Sequence, residues 1–530
     1  MLMSAWIFLS ALVAAAAFRL AEVWYYRKWY RQGILWDAAL HLAVIRTLQR
    51  KGAYNGVDEF LMCDEADGYP IAFHRFAALF PEKILQRYPF LPGVVIYAVS
   101  FALFAAYLDY IGDNYFGGAG LSLCVAGCLL LMFSVSNIVL NDNAILYISL
   151  SERQLARLAT GWYYLALLFA MAFDDGLSWA FAVVAGAVCA ISAMFARQAV
   201  AFGSIVLALI LWSPAPLATL AASVLGALAI DRGYFIRGLR QMVTFSQAYC
   251  RYSKHSKWVK PALSRLVNLN LFKPGAATFA TRLRELEIKE PTRLLVYHGE
   301  LVMCIALFAS PASSLEVVAL GIVAATLAIY IATSTPILNH FGEAVRYVEY
   351  NLCLVVPAIL AAAVISDTAR LSPYAWAAYF LWFALILLRK HAAWQAFPVQ
   401  KRDELAEFLR PLGLGHAHTV FPVPFTLGGS ICVRADGVRA LMCQGAAISP
   451  KLYERFCEEP PLLKKNWWAL FAEFNITHVI SLAGVVNNQR AYVDWEYDFS
   501  PLRKVAENAD FIAFEVPPRA EWPEARSSDR

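Results

Sequence analysis

Residues 36–80, WDAALHLAVIRTLQRKGAYNGVDEFLMCDEADGYPIAFHRFAALF, gather reactive side chains into one polar stretch: Asp37, His41, Asp64, Glu65, Asp67, Tyr69, His74 and Arg75. A carboxylate beside a histidine can take a proton from a hydroxyl, and a cation can hold an anionic leaving group. Asp37 and His41 are four residues apart, so a helix here puts them one turn apart on one face. Pro70 opens a second helical pattern, IAFHRFAALF, with His74 and Arg75 one turn inside it. Asp37 also suits a helix N-cap, which is its structural alternative. Asp64 and Asp67 offer carboxylate oxygens to a divalent cation, and their alternative is a solvated acidic loop.

The elements around this stretch are membrane helices. The chain has 530 residues, 60% of them hydrophobic, against roughly 45–50% in soluble domains. The excess lies in runs near 4–18, 91–110, 119–139, 158–173, 177–195, 199–213, 215–230, 295–312, 315–335, 350–366 and 372–388, which predict about eleven crossings. The long polar connections 19–90, 140–157, 231–294, 336–349 and the tail after 389 all fall on one side. The other side has tight links only. This predicts a membrane base with a cap on one face, its ionisable groups at that face and almost none inside the spans. Region 231–294 carries thirteen basic residues against four acidic ones, which on the positive-inside rule would make the cap side cytoplasmic; that rule is weakest for long loops.

Other polar stations flank the spans on the cap side. Ser151-Glu152-Arg153 precedes one span, and Arg197 with Gln198 lies between two others. His340, Gly342, Glu343, Arg346 and Tyr347 precede a late span. Each arginine here could hold a lipid phosphate or simply snorkel to headgroups. Cys432, Cys443 and Cys457 allow one disulfide in the tail if it faces an oxidising compartment. The tail, 395–530, alternates helical and strand patterns and predicts a small α/β domain. Within it HTVFPVP, SICVRAD, ALMCQG, THVISLAG and FIAFEVP read as strands, and LLKKNWWALFAEFNI and PLRKVAENA as helices. No zinc spacing, HExxH, P-loop or GxGxxG occurs, and no basic stripe with interleaved aromatics points to nucleic acid.

An aspartate after the first membrane helix, a nearby histidine and a YP…H element (Asp37, His41, Tyr69, Pro70, His74) resemble the first external loop of membrane glycosyltransferases of the GT-C fold. Gly342, Arg346 and Tyr347 resemble a G-x-x-x-RY element near the donor phosphate of such enzymes. The resemblance implies a polytopic α-helical fold of about eleven spans over 1–394, with external loops 19–90 and 231–294, followed by an extracytoplasmic α/β domain. It implies transfer of a hexosyl or pentosyl group from a polyprenyl-phosphate-linked donor to a glycan, lipid or protein acceptor, outside a bacterial inner membrane. Asp37 would then be the base, with His41 and His74 beside it. Tyr69, Arg75, Arg153, Arg197, Glu343, Arg346 and Tyr347 would bind substrate, and Asp64 and Asp67 a divalent cation. The partners are the lipid donor, membrane lipids and the acceptor. The rival readings are a transporter or flippase of lipid-linked sugars, which requires ionisable residues inside the spans, and a non-catalytic membrane scaffold.

Overall fold

The computed structural model describes residues 2–25, 36–53, 70–134, 150–253, 298–307, 313–335, 344–365, 373–395, 403–424, 427–441, 468–489 and 498–522, with short segments between them. The chain forms two compact units. The first comprises 1–25, 90–232 and 261–398, and the second comprises 26–89, 233–260 and 399–530.

The first unit is helical. Among the described residues, five helices are long and apolar enough to cross a bilayer: Ala5–Tyr25, Leu91–Tyr115, Arg153–Phe173, Ala215–Val243 and Ser314–Thr333. A sixth candidate, as a broken span or a re-entrant loop, is the pair Val345–Asn351 and Val355–Ile365, bent by 52°. Shorter apolar helices are Gly120–Met132, Gly176–Ser192, Met194–Ile210 and Pro373–Leu388. Trp6, Val13, Leu209, Leu225 and Leu385 lie exposed on these helices, as expected of faces whose solvent is lipid. The chain is an integral membrane protein. Arg153–Phe173 is its central helix: Leu158 through Ala170 are all buried, and a helix that is apolar all round belongs inside a bundle. Asp174, at φ 54°, ends it, and Asp175 caps the next helix by accepting from Ser178 N at 2.7 Å.

The expected scarcity of ionisable groups inside the spans is corrected. Arg19, Glu22, Asp109, Arg157, Glu300 and Glu349 are buried within helices of this unit. Arg19 pairs with Glu22 at 2.5 Å and lies 3.8 Å over the Tyr97 ring. Glu300 accepts from Ser134 at 3.0 Å. Charges near span ends drop out of a hydropathy reading, but a pair one turn apart on one helix satisfies itself inside apolar surroundings.

The second unit holds a five-stranded sheet in the order β2-β1-β5-β7-β6, where β1 is Thr419–Val423, β2 Arg439–Ala440, β5 His478–Leu482, β6 Arg503–Glu507 and β7 Phe511–Glu515. The short strands β3 (Cys457–Glu459) and β4 (Leu462–Leu463) pair antiparallel to each other. β1 runs parallel to β2 and β5, and β7 runs antiparallel to β5 and β6. Alternation sorts the side chains onto two faces. Phe421, Val423, Val479, Ile512 and Phe514 join Phe471 of the helix Trp468–Phe474. Val420, Ile480 and Ala513 join Leu405, Phe408, Leu427 and Ile431 of the helices Glu404–Leu409 and Leu427–Arg434.

Three tail elements differ from the sequence reading: Leu462 and Leu463, expected to begin a helix, form β4, and the helix runs only over Trp468–Phe474; the other two concern SICVR and LRKVAEN. SICVR lies in the helix Leu427–Arg434; Leu427 and Ile431, one turn apart, face the sheet, and Arg434 Nε donates to both Asp403 oxygens at 2.8 and 2.7 Å. LRKVAEN contains β6 rather than a helix. Its strong helix formers are overruled by pairing with β7 across a turn in which Asn508 Oδ1 accepts from Asp510 N and Phe511 N.

The first loop is part of this sheet. Ala440 N donates to Glu59 O at 2.8 Å and Leu61 N donates to Ala440 O at 3.1 Å, so Phe60 bridges parallel to the β2 edge. Leu61 enters the Phe421 cluster. The Cys432 thiol, which is free and buried, donates to Glu59 O at 3.7 Å; burial pushes its pKa up. Cys443 and the Cys457 side chain lie outside the described residues.

His478, at the start of β5, stacks edge-on against His418 at 5.3 Å, with its Nδ1 3.0 Å from Thr477 Oγ1. Burial, then the neighbouring His418, push its pKa below 6.5. The unfolded chain therefore takes this proton first. The stability it contributes is present above about pH 6.5 and is lost as pH falls through the lowered folded value. His478→Gln should flatten the loss of thermal stability between about pH 7 and 5. An unchanged slope in thermal scans would show that this pair does not set it.

Candidate active site

The sequence brings two helices of the first loop together. WDAALHLAVIRTLQRK is rich in strong helix formers and ends with Arg50 and Lys51, which complement the negative helix end. Gly52 (φ 69°) stops it, donating to Leu48 O at 2.9 Å. Ala38 through Ile45 are buried. Asp37 and His41 occupy one helix, four positions apart, and the Asp37 side chain lies outside the described residues. Three polar contacts fix this helix against the turn and helices that follow. Gln49 Nε2 donates to Ala78 O and Phe80 O at 3.0 and 2.8 Å, and Arg46 Nε to Glu82 Oε1 at 2.5 Å.

That packing presses His41 against His74 of the helix Ala72–Ala77. His41 Nδ1 and His74 Nε2 are 2.8 Å apart, and both side chains are buried. The Phe73 ring meets both imidazoles edge-on. Two nitrogen lone pairs cannot face each other at this distance, so one ring nitrogen donates a hydrogen bond to the other, and the tautomers set which. Backbone N–H of Ile71 donates to the Tyr234 hydroxyl, which ties the start of this turn to the helix after Asp231. Arg75 is exposed. Asp64, Asp67 and Tyr69 lie outside the described residues.

A second polar group lies inside the membrane unit. Ser151 Oγ accepts from Arg153 N at 3.2 Å and opens the central helix. Arg346, Tyr347 and Tyr350 sit on the short helix Val345–Asn351 around Phe195. The Arg346 guanidinium is 5.8 Å from that ring, and the two tyrosine rings are 4.7 and 5.0 Å from it. Arg153, Arg346, Glu152 and Glu349 all act electrostatically on Tyr350. Tyr347 donates to Phe341 O at 3.1 Å. Arg197 donates to Ala190 O, closing the break at Ala193 between two helices, which is a structural task. Gly342 and Glu343 lie outside the described residues.

Arg157, Phe195, Glu349 and Asn351 belong to this group and the sequence reading missed them. Arg157 follows Arg153 by one turn, a spacing that puts two cations on one face. Beginning the span at 158 hid it.

In fold the chain resembles the GT-C fold of membrane glycosyltransferases. In particular, the chain is similar to ArnT from Cupriavidus metallidurans in its crystal structure bound to undecaprenyl phosphate, with a TM-score of 0.52 and 10% identity over 98% of this chain and 99% of that one. The apo crystal structure of the same protein aligns at a TM-score of 0.34 with 10% identity, over 91% of this chain and 94% of that one, which is too low for a fold comparison. No family model and no curated protein matches the chain in sequence.

If the two imidazoles share a proton, their contributions to stability are coupled. His41→Gln, His74→Gln and the double variant should show an interaction energy of about 0.5–3 kcal/mol in denaturant titrations of the purified protein. Strictly additive losses would show that the two rings are only neighbours.

Proposed function

We propose that this protein transfers a sugar from a polyprenyl-phosphate-linked donor to an acceptor hydroxyl outside the cytoplasm. What carries the reading is the GT-C fold with a buried histidine pair on the loop after its first helix, one turn from a carboxylate. In this reading the Asp37 carboxylate takes the proton of the acceptor hydroxyl while its oxygen bonds to the anomeric carbon. The bond from that carbon to the phosphate oxygen breaks, and the polyprenyl phosphate leaves with the electron pair. Arg346 and Arg153 hold that phosphate, because a guanidinium fork matches its oxygens. His41 orients Asp37, and His74 fixes His41.

Two imidazole nitrogens side by side also suit a divalent metal, and Asp64 and Asp67 of the same loop would add carboxylate ligands. Such an ion would act as a Lewis acid toward the leaving phosphate. Tyr69 and Glu343 fit contacts to sugar or acceptor hydroxyls. Arg75, being exposed, fits lipid headgroups better.

The topology proposed with it has eleven crossings and an outward-facing cap and tail. Its support is that each of the eleven apolar stretches overlaps a helix; on that topology the sequence puts the long connections on one side. A reporter fused after Arg530 should be active outside the cytoplasm, and activity inside would reverse the orientation. The transporter reading asks for buried ionisable groups, and these exist; Arg19, Arg157 and Glu300, however, are each bonded to protein groups.

Asp37→Asn tests the chemistry. An amide caps a helix as well as a carboxylate does but cannot accept the proton. Transfer from a polyprenyl-phosphate sugar by the purified protein should fall roughly 10²–10⁴-fold with thermal stability unchanged. Wild-type turnover in a stable Asp37→Asn protein would reject Asp37 as the base.

A further inference from the structure

The span that carries Arg346 is broken, and the break is pinned from the central helix. Pro357 has no N–H and its ring clashes with the carbonyl of Cys353, so one continuous helix cannot run through 351–355. The chain bends there by 52°. A break leaves the last carbonyls of Val345–Asn351 short of next-turn donors in a medium without water. Side chains take up the task. Arg157 Nε donates to Glu349 O at 3.4 Å. Cys353 Sγ lies 3.5 Å from Tyr350 O and 3.6 Å from Arg157 O, bridging the break to the central helix. Asn351 Nδ2 donates to Thr326 Oγ1 at 3.2 Å, tying the same corner to the helix Ser314–Thr333. Gly161 makes the approach possible: a Cβ there would meet Cys353 Sγ at 2.5 Å.

We propose that Arg157, with Cys353, is a positioning residue that sets the short helix Val345–Asn351 at its angle to the central helix, and so sets Arg346 relative to Arg153. Arg157 is 1% exposed, four residues along the helix from Arg153. Its guanidinium works on the backbone of the arm and leaves the phosphate to Arg346. A buried arginine is an expensive way to satisfy a carbonyl, and this one is retained where two cations must keep a fixed spacing.

This inference rests on Arg346 as the donor-phosphate ligand, and the test separates the two. The probe is undecaprenyl phosphate binding to the purified full-length protein in lipid nanodiscs. Arg346→Ala should weaken binding. Arg157→Met should weaken it about tenfold, Arg157→Lys by less, and Cys353→Ala by about threefold, the range over which packing changes alter coupled sites. The double variant Arg157→Met/Arg346→Ala should bind no worse than Arg346→Ala alone, because Arg157 acts through Arg346. Additive losses would make Arg157 a direct ligand and overturn the positioning role. Normal binding by Arg157→Met and Cys353→Ala, with Arg346→Ala impaired, would overturn this inference alone. Should Arg157→Met fail to fold, normal binding by Cys353→Ala decides against the pin. Normal binding by Arg346→Ala would overturn the donor-site reading and this inference with it.

Discussion

The second unit depends on one backbone pairing. Glu59 and Leu61 exchange hydrogen bonds with Ala440 at the open edge of the sheet, and a free strand edge offers such groups to any passing chain. Here the occupant is a loop more than 370 residues earlier in the same chain. Leu61 then enters the core formed by Phe421, Trp468 and Phe514, so the register of the loop is fixed by side chains as well as by backbone. The helix that follows the first span packs on Leu427–Arg434, and its buried residues Ala38 to Ile45 need that cover. The tail is thus structural support for the loop that carries His41 and His74.

The membrane unit answers a different constraint. With no water available, each charge and each interrupted carbonyl must find a partner within the protein. Arg19 finds Glu22 and the Tyr97 face; Glu300 finds Ser134; Glu349 O finds Arg157. Such groups cost more than leucine would in the same place, and packed apolar residues would often serve stability as well. Their presence at corners of the helical bundle therefore points to geometry being maintained as well as to stability.

Much of the fold was legible in the sequence, because apolar runs near bilayer length leave little choice of structure. Asp37, His41 and His74 could be picked out because polar residues with chemistry stood together in one stretch. Their contact was not legible. His41 and His74 are 33 positions apart, and it takes Gln49, Arg46 and Glu82 to bring the helices together. Arg157 was hidden for the opposite reason, since it stands one residue before the apolar run 158–173 and reads as a boundary charge. β6 was misread because Leu, Arg, Lys, Ala and Glu favour helix locally, whereas its pairing with β7 is settled by the turn at Asn508. Local propensity yields where a strand partner is already waiting.

The two polar groups differ in how they are held. Arg153 opens the central helix of the membrane unit, so the packing of that helix fixes its depth. The proton transfer proposed for the first loop would need fixed geometry together with access for an acceptor from solvent. A loop on a rigid scaffold meets that need: His41 and His74 are locked to each other and to Phe73, while Arg75 next to them faces outward. Fold likeness alone does not assign chemistry. The roles proposed for Asp37 and His41 rest instead on their four-residue spacing on one helix and on the buried imidazole pair of His41 and His74.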